Sequence, residues 1–249
     1  GLAAGPAKGG RFSPDGKSVY VVSDQDSEFA RVVNIDLSTG RQRVISDSGG
    51  WDVEEFELSA DGSTIVYSSN EDGYSKVRVV DTSNGAQLPA PALPPGIVTN
   101  LAFGRRGDRF AFNFAPVTAQ HGVFVWSMRE RRLSAWTRGE GKDVSAAALT
   151  EPQLIRFASF DEREIPAFMY LPPRKGEGKF PVIVNIHGGP EFQFRPAFSP
   201  HPYNPVLSGL ELGFAVIAPN VRGSTGYGKI FPTLDDGVKR EDAVKDIGA

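Results

Sequence analysis

Two landmarks recur through the first 150 residues at one shared interval, and that interval restricts the fold more than any other feature of the chain. Phe12-Ser-Pro-Asp-Gly16, Leu58-Ser-Ala-Asp-Gly62 and Phe103-Gly-Arg-Arg-Gly107 begin 46 and 45 positions apart. Asp36-Leu-Ser-Thr-Gly40, Asp81-Thr-Ser-Asn-Gly85 and Ser127-Met-Arg-Glu-Arg131 follow in step, at 45 and 46. Between the landmarks lie short runs rich in β-branched and aromatic residues: Val19–Val22, Arg31–Leu37, Thr64–Ser68, Lys76–Val80, Phe110–Phe114 and Val123–Trp126. Such runs read as strands, and the Asp-Gly pairs that punctuate them suit tight turns because both residues tolerate positive φ. Several strands in a unit of this length predict the blades of a β-propeller. Closed rings use about four to eight blades. With about three here, either further blades precede Gly1, which is not a starting Met, or this region is not a closed disc; the first is expected.

Composition removes several function classes. The formal net charge is −3 and the pI is near 5.7, so nothing predicts a nucleic-acid partner or an anionic membrane surface. The densest basic run, Arg129-Glu130-Arg131-Arg132, reads as a solvated turn. No run reaches the ~18 apolar residues of a membrane span. Cysteine is absent, which excludes disulfides, thiolate metal sites and a cysteine nucleophile. No cofactor or metal site is expected. Asp24-Gln-Asp26-Ser-Glu28 opens like a calcium loop but lacks the glycine at its sixth position and has Ile35 at its twelfth. His121 has no ligand partner at suitable spacing and reads as a turn residue.

The cadence stops near Val144–Pro152, a connector. The reading therefore divides the chain into 1–149, propeller blades, and 150–249, the first part of an α/β domain. Gln153–Phe160 and Ile165–Leu171 flank a polar turn and predict a hairpin. Lys175–Lys179 is a glycine- and charge-rich loop. Val182–Ile186 is a nearly unbroken apolar run, predicting a strand buried on both faces. Asn204 as N-cap, Pro205 at the first helical position and Gly213 past the end predict a helix, followed by a second buried strand over Leu212–Ala218. Strand, helix and strand in this order predict a parallel sheet with a right-handed crossover. Toward the end, Val238–Ile247 reads as a helix with Glu241 and Lys245 paired at i, i+4.

Two Gly-rich corners should leave the carboxyl edge of that sheet, where open α/β sheets bind ligands. The first is His187-Gly188-Gly189-Pro190, whose bare N–H groups at Gly188 and Gly189 could receive the oxyanion of acyl transfer. The plainer reading is a glycine-rich loop without chemistry. The second corner is Asn220-Val-Arg-Gly-Ser-Thr-Gly-Tyr-Gly228. Its Arg222 offers a fork of donors for a carbonyl or carboxylate, or else an ion pair that pins the loop. Tyr227 offers an aromatic wall or a hydroxyl. The corner lacks the order of residues found in phosphate loops.

A propeller-like repeat, a hairpin, then Asn185-Ile-His-Gly-Gly-Pro190 and Pro219-Asn-Val-Arg-Gly-Ser-Thr-Gly-Tyr-Gly228 together resemble the prolyl oligopeptidase family of serine peptidases, nearest to its acylaminoacyl-peptidase and dipeptidyl-peptidase-like branch. The resemblance implies an α/β-hydrolase domain with a Ser-Asp-His triad, capped by a propeller that filters substrates by size. It implies that Gly189 N–H helps form the oxyanion hole with Gly188 beside it, and that His187, Arg222 and Tyr227 lie near a short peptide substrate. Several relatives carry a tyrosine where His187 stands. No serine here sits in a G-x-S-x-G elbow, and His187 and His201 come too early for the triad base. The triad is thus expected beyond Ala249, and the chain is expected to be inactive alone. Two alternatives stand beside a peptidase: a propeller-based binding module with a vestigial hydrolase half, and an esterase on the same fold. The compartment is left open.

Overall fold

The computed structural model describes residues 7–137, 150–173, 179–189, 191–198 and 204–249. The chain divides into two units, Gly1–Phe114 with Gly122–Arg138, and Ala115–His121 with Gly139–Ala249. The boundary expected between 149 and 150 adjoins residues 138–149, which lie outside the described residues, as do Pro190, His201 and residues 175–178.

The first unit carries three four-stranded sheets, each with its strands hydrogen-bonded in sequence order. They are β1 (Ala7–Phe12), β2 (Ser18–Ser23), β3 (Arg31–Asp36) and β4 (Gln42–Val44); β5 (Asp52–Leu58), β6 (Thr64–Glu71), β7 (Tyr74–Asp81) and β8 (Gln87–Leu88); and β9 (Gly96–Phe103), β10 (Arg109–Pro116), β11 (Gly122–Ser127) and β12 (Arg132–Ala135). The first two sheets, and the third from β10 onward, pair antiparallel.

The two landmarks are the turns of these sheets. The first closes each sheet's opening hairpin: Gly16, Gly62 and Gly107 N–H donate to the carbonyls of Ser13, Ser59 and Gly104. In two repeats the serine hydroxyl also donates to the turn aspartate, Ser13 to Asp15 at 2.7 Å and Ser59 to Asp61 at 2.6 Å. The second landmark closes the last hairpin, with Gly40 and Gly85 N–H donating to the Asp36 and Asp81 carbonyls at 2.8 Å. Arg131 occupies the equivalent place in the third sheet and adopts the same left-handed φ, +50°.

Strand β6 shows how alternation builds the core. Ile65 and Tyr67 join a cluster with Tyr20, Val22 and Val32 of the first sheet, while Val66 joins Phe110, Phe112 and Trp126 of the third. A middle sheet packed on both faces has no polar side, so β6 is buried along nearly its whole length.

The opening strand of each sheet was not among the expected ones. In β5 the register shifts between Val53 and Glu55, so the buried residues are Val53, Phe56 and Leu58. A bulge interrupts the period of two and hides the strand from a pattern search.

In the second unit, β13 (Gln153–Ala158) and β14 (Glu164–Tyr170) form the expected hairpin. The sheet runs β13-β14-β16-β15, with β15 at Val182–Val184 and β16 at Ala215–Pro219. Only β15 and β16 are parallel; β14 pairs antiparallel with β16, so the sheet is mixed. Helix α1 (Pro205–Glu211) lies in the connection between the parallel strands. The Asn204 side chain accepts from Val206 N–H at 3.1 Å, a cap worth about 1 kcal/mol. Gly209 lets α1 approach closely, since a Cβ there would stand 2.7 Å from Val216 and 3.2 Å from Ile183.

Strand β16 is buried as expected, although it starts at Ala215 and leaves Leu212 exposed as the helix cap. Strand β15 departs from expectation. It is an edge strand, and Val182, Val184 and Ile186 are 52%, 46% and 50% exposed. Ile183 lies against α1, while the alternate residues lie on the opposite face, about half in solvent. The last helix, α2 (Arg240–Gly248), follows two short 3-10 turns, Phe231–Asp235 and Gly237–Lys239. Its Lys245 pairs with Asp242 at 2.7 Å in place of Glu241.

Candidate active site

Because β15 and β16 are parallel and the Asn185 N–H still bonds the Ile217 carbonyl, both Gly-rich corners leave the same carboxyl edge. The first corner is open. Gly188 and Gly189 are exposed, and a Cβ on either would meet nothing within 4 Å. Gly189 holds φ at +60°, a value that glycine adopts without strain. Among the described residues, neither the Gly188 nor the Gly189 N–H has an acceptor.

One side chain ties the first corner to the second. The His187 Nε2 lies 3.0 Å from Ser224 Oγ, and its Nδ1 lies 3.3 Å from the Gly188 carbonyl. Ser224 is fully buried and donates its hydroxyl hydrogen to the Val221 carbonyl at 2.6 Å. Burial pushes the His187 imidazole below its ordinary pKa, opposed in part by the Gly188 carbonyl. The ring meets Phe192 edge-on at 6.0 Å, and Thr225 N–H bonds the Phe192 carbonyl.

Asn220 makes a second tie. Its side chain accepts from Phe194 N–H at 2.7 Å and donates to the Phe194 carbonyl at 3.1 Å, as a neighbouring strand would. It also donates to the Tyr227 hydroxyl at 3.0 Å, and the Tyr227 ring leans on Phe231. Tyr227 is thereby fixed, half-buried, at the end of the corner.

Arg222 is only 4% exposed, and its fork is closed. Nη1 and Nη2 donate to Asp161 at 3.0 and 2.8 Å. Nε and Nη2 donate to Asp246 at 2.9 and 2.7 Å. Asp246 is fully buried and also accepts from the Arg222 N–H and the Ser159 hydroxyl. These carboxylates raise the guanidinium pKa, Asp246 most, and the Arg222 bond lowers that of Asp161. Phe160 lies over the cation, 4.7 Å from its centre. The contacts join the β13–β14 turn, the second corner and α2 around a nearly enclosed guanidinium. Gly223 completes the packing, because a Cβ there would stand 2.5 Å from the Asp235 carboxylate.

The structure therefore brings His187, Gly188 and Gly189 together with the second corner through Ser224, and buries Arg222 against Asp161 and Asp246. Ser224, Asn220, Asp161 and Asp246 carried no expected role. Ser224 and Asn220 stand inside the motif, where polar residues between glycines were the available signal. Nothing in the sequence near Asp161 or Asp246 marks them as partners of one arginine. Among the described residues no group of His, Cys, Asp and Glu could hold a metal ion, and no helix is long and apolar enough to cross a membrane.

No family model matches the chain. Dipeptidyl-peptidase 5 of Aspergillus fumigatus is 27% identical to it over 235 residues, which cover 88% of this chain and 31% of that protein. In fold, the chain is similar to puromycin hydrolase, with a TM-score of 0.82 and 21% identity over 98% of this chain and 37% of that one. Prolyl oligopeptidase B of Galerina marginata gives a TM-score of 0.77 at 17% identity over 93% and 33%. The chain spans about a third of the length of the curated relatives it matches over most of its own. These likenesses point consistently to the prolyl oligopeptidase family of serine peptidases and to no one branch of it.

Proposed function

We propose that this chain is part of a prolyl oligopeptidase-type serine peptidase that hydrolyses short peptides through an acyl-enzyme. The observation that carries the reading is the exposed Gly188–Gly189 turn, whose N–H groups find no acceptor among the described residues and which is tied to the second corner through His187 and Ser224. Unpaired backbone donors held where charge develops stabilise a tetrahedral intermediate with little reorganisation at the moment of reaction. The Gly189 N–H receives the oxyanion, with Gly188 beside it. His187 and Tyr227 border the substrate, and Arg222 acts behind them by holding the corner in place.

The three sheets of the first region are blades of a propeller over residues 1–149, and residues 150–249 begin the hydrolase domain. The nucleophile, acid and base are supplied by residues other than these, because no serine of the chain lies in a G-x-S-x-G elbow. The prediction for the chain by itself is no triad-dependent hydrolysis. Chromogenic dipeptidyl and acyl-peptide substrates should not turn over, and a fluorophosphonate probe should leave every serine unmodified. Covalent labelling of a serine at these corners would overturn the reading.

A further inference from the structure

We infer that His187 is a positioning residue that aims the Gly189 N–H: Ser224 fixes its ring through Nε2, and a proton on Nδ1 ties the ring to the carbonyl of the Gly188–Gly189 peptide. The use of that N–H rests on the oxyanion reading above; its orientation is a separate question.

The need for such a residue follows from the turn itself. Glycines flank the peptide on both sides, and no packing would touch a Cβ on either one. Neither position has a side chain whose packing could select one orientation of the peptide plane. In a trans peptide the C=O and the following N–H point in opposite directions, and the described chain contains no cis bond. A donor on the Gly188 oxygen thus sets the direction of the Gly189 N–H.

The ring is held so that it can be that donor. Ser224 has one hydroxyl hydrogen, and the Val221 carbonyl, 2.6 Å away, can only accept it. The Ser224 oxygen is left to accept, so Nε2 must carry a hydrogen to complete the 3.0 Å contact. In the neutral ring Nδ1 is then bare and faces the Gly188 oxygen at 3.3 Å, one lone pair toward another. Only the imidazolium donates at both nitrogens.

Among the described residues the groups facing the ring are the Ser224 hydroxyl, the Gly188 carbonyl and the Phe192 ring, none of which titrates in this range. Burial favours the neutral form, so the tie to Gly188 forms only as pH falls through a midpoint below the ordinary histidine value of about 6.5.

The test is an NMR titration of the isotopically labelled full chain from about pH 8 to about pH 5. It follows the His187 ring nitrogens, the Gly188 carbonyl carbon and the Gly189 amide. The expected result is a neutral ring protonated at Nε2, then protonation of Nδ1 with Gly188 and Gly189 shifting at the same midpoint. Ser224→Ala should release the ring into both tautomers and reduce the Gly189 shift, and Ser224→Thr should restore both. A neutral ring protonated at Nδ1, or a Gly189 amide that stays still while His187 titrates, overturns the inference. If a variant loses its dispersed spectrum, the wild-type titration decides the matter alone. Because no turnover is read, absence of peptidase activity does not alter these outcomes. A silent Gly189 amide removes the positioning role and leaves the backbone donors as they were.

Discussion

At the scale of single residues, Arg222 shows how a charge inside a glycine-rich corner can be taken up entirely by protein partners. Its guanidinium is nearly enclosed, and two carboxylates satisfy it from opposite elements, one in a hairpin turn and one in α2. Removing one member of a buried pair strands the other, at a cost of about 3–5 kcal/mol. Asp246→Asn should therefore reduce the hydrogen-exchange protection of the Arg222 amide, which bonds Asp246 at 2.9 Å, by a free energy of that order. Unchanged protection would show that Asp161 alone anchors the arginine. The sequence announced Arg222 as chemically interesting but left open whether its partner is substrate or protein. That choice depends on Asp161 and Asp246, which lie 61 and 24 positions away. The corners that carry Tyr227 and Gly189 were legible because their glycines and turn residues are neighbours in the chain. Ser224 was not, since its role depends on where the other corner places an imidazole.

At the scale of elements, the turns of the first two sheets share one electrostatic device. Asp15, Asp36, Asp61 and Asp81 each accept from turn hydroxyls and amides that favour the ionised carboxylate, with the hydroxyls of Ser13, Ser38, Ser59 and Ser83 the largest influences. All four lie below the ordinary aspartate value, Asp36 at about 2. A depressed carboxylate contributes stability that is complete above its unfolded pKa, near 4, and is lost as pH falls through its folded pKa. Thermal melting between about pH 5 and about pH 2 should show a steadily falling Tm. Asp36→Asn, which cannot titrate, should flatten part of that slope; an equal slope in the variant would refute the assignment. The turns were readable because their chemistry is local, a serine or aspartate two or three residues from the group it bonds. The opening strands were not, since β5 hides behind its bulge and the innermost residues of each sheet are defined by the next sheet.

At the scale of the whole chain, a β-rich region precedes a mixed α/β region, and in the second Val182, Val184 and Ile186 stand about half in solvent on and just past β15, the end strand of the sheet among the described residues. Val182, Val184 and Ile186 project from one side of an edge strand, the kind of surface that recruits other strands or chains. Val184→Lys should lower self-association in sedimentation experiments while leaving thermal stability nearly unchanged, because the side chain is already half in solvent. No change in association would mean that this face is not adhesive.

The sequence by itself determined the repeat, its turns, the later hairpin, the helix with its cap, and the two glycine corners. Each of these depends on residues close together in the chain, where period, punctuation and backbone freedom act directly. Only the tertiary structure decided that β15 lies at an edge, that the sheet is mixed, that Arg222 faces two aspartates, and that Ser224 holds His187. Those outcomes depend on which distant groups share one small volume, and hydrogen bonds of 3 Å or less are a property of that volume and not of spacing along the chain.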